Sequence, residues 1–135
     1  MENLCLPSLR ELYLHQNSIT KIEGLQGCPS LQRLWLFSNK ISAMENLHYC
    51  GALKELWLHD NRVKRVAGLD SLVHLQVCTN LGLAGNPIME LKDVRRLGSL
   101  PSLVELTLDD VHFGTCPVVE VTGYRQFIMC FLRHV

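Results

Sequence analysis

Six cysteines, two similarly placed histidines and a group of carboxylates near position 107 are the residues of this 135-residue chain that could do chemistry. A structural zinc site needs cysteines or histidines paired at short, regular spacing. No C-x-x-C occurs, and Cys5, Cys78, Cys116 and Cys130 share no common spacing. Cys28 and Cys50 do recur, at a position that Leu6, Leu72 and Leu100 also hold, so they read as small buried hydrophobes. His15 and His59 occupy matching places in "ELYLHQN" and "ELWLHDN". Two strand steps, about 9–10 Å, would separate their backbones, too far for one metal ion. They read as binding-surface histidines. Glu105, Asp109 and Asp110 could pair for proton transfer, or simply form a solvated edge, which is the plainer reading. No Ser-His-Asp pattern, phosphate loop or H-E-x-x-H motif is present. We therefore expect no enzyme activity, no cofactor and no metal.

These residues must be positioned by the elements around them, and those elements repeat. Asn17, Asn39 and Asn61 are evenly spaced, and each closes the pattern L-x-x-L-x-L-x-x-N. The leucines are Leu9, Leu12 and Leu14; Leu31, Leu34 and Leu36; Leu53, Leu56 and Leu58. Apolar pairs follow each asparagine: Ile19 and Ile22, Ile41 and Met44, Val63 and Val66. One such unit cannot bury its own leucines, so units must stack around a shared core. Each L-x-L becomes a short parallel strand with leucines inward, and each asparagine can bond backbone groups that the following turn leaves unpaired. Leucine is the commonest residue of the chain, as such a core requires. The fold class expected is α/β, a curved right-handed solenoid with short parallel strands on the concave face.

The later coils are irregular. The step from Leu75 to Asn86 is three positions longer than the steps from Leu9 to Asn17 or from Leu31 to Asn39. Placing the strand at Leu81–Leu83 puts the excess in a bulge around Val77–Asn80. A rival register through Leu72, Leu75, Val77 and Asn80 also fits, but leaves Leu81 and Leu83 without a repeat position. "MELKDVRRLGSL" has helical spacing at Leu91, Val94 and Leu97. A fifth strand follows at Leu103, Leu106 and Leu108, with Val111 in place of the asparagine. Tyr124, Phe127, Ile128, Phe131 and Leu132 then recur at helical spacing, giving one apolar face. The whole of 1–135 reads as one domain of about five repeats, with 1–8 a partial coil and 112–135 the cap. The partial coil leaves the first strand's edge uncovered, so self-association there is expected, as is origin as a fragment or short isoform of a longer protein.

The chain resembles the 22-residue class of leucine-rich repeats on these motifs, notably "ELYLHQN", "IEGLQGCPSLQRLWLF" and the Tyr-Arg cap helix. That class includes a regulatory subunit of protein phosphatase 1, an axonemal dynein light chain and tubulin-folding cofactors. The resemblance implies a binding module in the cytoplasm, with a cilium, axoneme or microtubule assembly as its setting. A phosphatase-regulatory role and a ribonucleoprotein-associated role are the alternatives.

Alternation along the strands identifies the expected binding residues. Burying the leucines turns Tyr13, Trp35 and Trp57 outward in one row, with His15, Phe37 and His59 beside them and Glu11, Arg33 and Glu55 along the flank. Such an apolar patch rimmed by charge marks a site for a protein partner, and Trp, Tyr and Arg are the types enriched at binding hot spots. The residues expected to touch the partner are Tyr13, His15, Arg33, Trp35, Phe37, Glu55, Trp57, His59, Asp60 and Asp109. Charge disfavours nucleic acid as a direct partner: 13 basic residues balance 13 acidic ones, leaving no global field to recruit RNA or DNA, with only a local patch left open. The basic strip Lys21, Lys40, Arg62, Lys64 and Arg65 reads as a solvated face, or a contact for an acidic partner. The longest apolar run, "FIMCFL", is too short to cross a bilayer. The amino terminus has no signal-peptide pattern, so the chain reads as intracellular.

Overall fold

Five three-residue strands pair in parallel, in chain order, in the computed structural model, which describes residues 4–66 and 75–131. They are β1 (Glu11–Tyr13), β2 (Arg33–Trp35), β3 (Glu55–Trp57), β4 (Asn80–Gly82) and β5 (Glu105–Thr107). The register aligns Leu12, Leu34, Leu56, Leu81 and Leu106 in one inward row. Leu34, Leu56 and Leu81 are enclosed, while Leu12 and Leu14 at the open first edge are half-buried. The fold is the α/β solenoid expected. Cys28 and Cys50 are buried in its core beside the leucines. Helix α1 (Leu91–Leu97) buries Val94 and Leu97, as its spacing predicts.

Asparagine amides stitch adjacent coils together. Asn61 is typical: its Oδ1 accepts from the Ile41 N–H at 2.9 Å, and its Nδ2 donates to the Leu36 and Leu58 carbonyls at 2.9 and 3.1 Å. Asn39 and Asn86 make the same set one coil earlier and one later. Asn17, on the open edge, keeps only its local bonds to Leu14 and His15. The residue before each asparagine is left-handed: Gln16, Ser38, Asp60 and Gly85 all have φ between 51° and 73°. Three coils tolerate a side chain there. The fourth does not, because a Cβ on Gly85 would lie 2.1 Å from the Phe113 carbonyl oxygen.

The expected bulge at Val77–Asn80 is absent. Thr79 and Asn80 N–H both bond the Lys54 carbonyl, just as Lys54 and Glu55 bond that of Gln32, so the ladder runs unbroken. Cys78, fully buried, takes the place of Leu31 and Leu53, and Leu75 takes that of Cys28 and Cys50. The favoured register for Leu81, Leu83 and Asn86 is therefore right, but the surplus falls before Leu75. Leu72, which the repeat reading used, lies outside the described residues, as does Leu132.

Val111 does not replace the missing fifth asparagine; it is 95% exposed. The chain instead folds into a hairpin, β6 (Asp109–Asp110) against β7 (Gly114–Thr115). Its turn is made by Asp110 Oδ1 accepting from the His112 and Phe113 N–H groups and by Gly114 at φ 94°. Cys116 does the asparagine's work. Its thiol donates to the Leu83 carbonyl at 3.0 Å and its N–H to that of Leu108 at 2.8 Å. Helix α2 (Tyr124–Phe131) then packs Tyr124, Phe127 and Ile128 on the core, as expected of the cap. At the other end, residues 4–6 lie along the first coil, so close that a Cβ on Gly27 would meet the Leu4 oxygen at 2.2 Å.

Candidate functional site

The outward rows of the sheet form the candidate site. Because the strands are in register, Tyr13, Trp35 and Trp57 stand side by side. Tyr13 meets Trp35 edge to face at 4.7 Å between ring centroids, and Trp35 meets Trp57 at 6.2 Å. One step along, His15 stacks on Phe37 at 4.4 Å. The indole nitrogens of Trp35 and Trp57 are buried without a hydrogen-bond acceptor among the described residues. An unpaired buried N–H costs roughly 1–3 kcal/mol, so this face is not arranged for stability alone.

A polar ladder borders the aromatics. Arg33 bridges Glu11 and Glu55, Tyr13 O–H donates to Glu11, and Asn80 Nδ2 donates to Glu105 at 2.6 Å. The Tyr13 hydrogen bond first, and then Arg33, hold the Glu11 carboxyl below its ordinary range; the same bond to Glu11 raises the Tyr13 phenol. Asp60 is exposed on the turn after β3, and Asp109 is exposed in the hairpin, accepting from the Thr115 hydroxyl.

His59 is not on display. Expected as a surface histidine, it is 1% exposed, its ring lying over Gly82, where an added Cβ would come within 2.3 Å of Nε2. Its Nδ1 accepts from the Ala84 N–H at 3.1 Å, and the Phe113 ring stacks on it at 4.8 Å and 3°. Phe113 also leans on Phe37 at 5.3 Å. Phe113 escaped the sequence reading because nothing periodic marks it; "DVHFG", an aspartate-initiated turn ending in glycine, is the signal that could have found its hairpin. Trp35, Phe37, Trp57, His59 and Phe113 together line an open slot of about 180 Å³. The other expected contact residues lie on this face or along its border, and His59 forms its floor.

Burial pushes the His59 pKa below its usual value near 6.5, with Asp110 and Glu105 opposing. The folded protein thus binds this proton less readily than the unfolded chain does. Stability should be complete above about pH 6.5 and decline as pH falls through and below that value. Urea unfolding at a series of pH values checks this. His59→Phe should lower the plateau, because the Ala84 N–H loses its acceptor, and should flatten the slope below about pH 6.5.

Strand register, asparagine ladder and concave aromatic face define a leucine-rich repeat solenoid. Over residues 7–47 the chain matches a family model described as leucine-rich repeats in two copies. The leucine-rich repeat-containing protein 51 of Bos taurus is 44% identical over 55 residues, covering 41% of this chain and 26% of the relative; that of Macaca mulatta matches equally. The match therefore spans about a quarter of the length of these curated relatives. Among solved structures, a Drosophila melanogaster SNF/U2A′ complex aligns over 93% of this chain and 69% of its own, with TM-score 0.75 and 25% identity. An internalin of Listeria monocytogenes aligns over 73% of this chain and 28% of its own, with TM-score 0.64 and 26% identity.

Proposed function

We propose that this protein is a non-enzymatic interaction module that holds a protein partner on its concave aromatic face. One observation carries the reading: Tyr13, Trp35 and Trp57 form a continuous ring surface whose two indole N–H groups are buried unpaired among the described residues. Solvent exposure of aromatic surface costs free energy in an isolated protein and is relieved in a complex. The even spacing of Asn17, Asn39 and Asn61 supports membership of the 22-residue class, and the axonemal and tubulin-folding members of that class suggest the setting. The setting we infer is cytoplasmic, as a scaffold or adaptor of a ciliary or microtubule-associated assembly. A second reading, a ribonucleoprotein-associated module, is the alternative that the repeat resemblance implies; the aligned SNF/U2A′ structure is likewise a complex, and this reading too uses a protein contact.

Affinity capture from ciliated and non-ciliated cells tests both. Wild type should retain a partner that Trp57→Ala loses, while Met129→Glu, at an exposed residue of α2, should keep it. A partner that survives Trp57→Ala binds elsewhere and refutes the concave-face reading. Capture of axonemal components favours the first setting, and of ribonucleoprotein components the second.

A further inference from the structure

The slot between Trp57 and Phe113 has a chemistry more specific than apolar. A cavity of about 150 Å³ suffices for one benzene ring, so this one, at about 180 Å³, takes the end of a single side chain. Five ring systems line it, and the faces of such rings carry partial negative charge that attracts cations. The surroundings add to that field. Of the groove-facing strand residues, Arg33 is the one cation among those described, and Glu11 and Glu55 both hold it. Glu105 is bonded to the Asn80 amide and Asp110 to two backbone N–H groups. No lysine or arginine pairs with either of these two among the described residues. Glu105 and Asp110 lie near enough to the slot's floor for their charges to act on His59.

We propose that the slot receives a cationic side chain, arginine ahead of lysine, projecting from a basic segment of the protein partner. The proposal rests on the concave-face reading and narrows it. Guanidinium is favoured because it is planar, stacks on rings and is less strongly hydrated than ammonium. A phenyl or isobutyl group would fit by volume but would gain nothing from the charges of Glu105 and Asp110.

Trp35 and Trp57 are the chain's two tryptophans and both line the slot, so intrinsic fluorescence reports its occupancy. The intact protein is titrated with four capped Gly-Ser peptides carrying a central arginine, lysine, leucine or phenylalanine. The arginine peptide should bind about tenfold tighter than the leucine peptide. Its affinity should fall severalfold between roughly 50 and 300 mM salt. Glu105→Gln should weaken the arginine peptide roughly threefold and leave the phenylalanine peptide unchanged. Equal or tighter binding of the leucine or phenylalanine peptide overturns the proposal while leaving the concave face as the partner site. Saturation by none of the four also overturns it. The broader reading falls on a different result, partner capture that survives Trp57→Ala.

Discussion

Leu56→Ala should destabilise the protein by about 2–5 kcal/mol, whereas Trp57→Ala, one residue along, should cost far less and abolish partner binding. Leu56 is fully enclosed at the centre of β3, between Leu34 and Leu81, with packed coils on both sides. Truncation leaves a cavity that neither neighbour can collapse into, and the lost transfer energy adds to the cost of the void. Trp57 touches Trp35 and His59 across the outer face, so its removal opens the slot to water without emptying the core. Urea melts of the two variants beside the wild type decide the matter. Equal destabilisation would mean that the indole belongs to the core and the sheet faces are assigned the wrong way round.

Asn61→Ala is expected to cost roughly 3–5 kcal/mol, an unusual loss for one amide. Its carboxamide reaches four backbone groups, and the Ile41 N–H loses its acceptor once Oδ1 is gone. The loss falls between coils, where cohesion of a solenoid resides. Asn17→Ala removes two local bonds at the exposed first coil and should cost less than about 1 kcal/mol. Denaturant midpoints for the pair test the ladder as a cross-coil device. A similar small loss at both sites would show that local turn bonds, not the links between coils, account for what the asparagine contributes.

The regular part of the fold was legible because one physical demand, burial of L-x-L against the next coil, recurs once per repeat. That demand sets the strand rows, the asparagine positions through Asn86, and the outward Tyr13, Trp35 and Trp57. It misled at Leu75, where the larger hydrophobe was preferred to Cys78 for the strand-leading position; a thiol packs as well in a coil this tight. It was silent beyond Leu108. The Asp109–Thr115 hairpin, the ring of Phe113 and the substitution of Cys116 for an asparagine arise from contacts between distant coils. No period announces them, and His59 was misjudged for that reason: its cover comes from Phe113, three strands further down the chain.

That cover has a consequence for the dimensions of any partner. Neighbouring strands lie about 4.8 Å apart, so the open span from Tyr13 to Trp57 is two spacings, roughly 10 Å. A helix with its side chains measures about 10–12 Å across. From Tyr13 to Trp57 the face thus takes one helix, and past Trp57 the next outward position, Gly82, lies under the His59 ring on which Phe113 stacks. The receptor acts as a gauge: residues added to the ligand past that stop should lengthen it without tightening its grip.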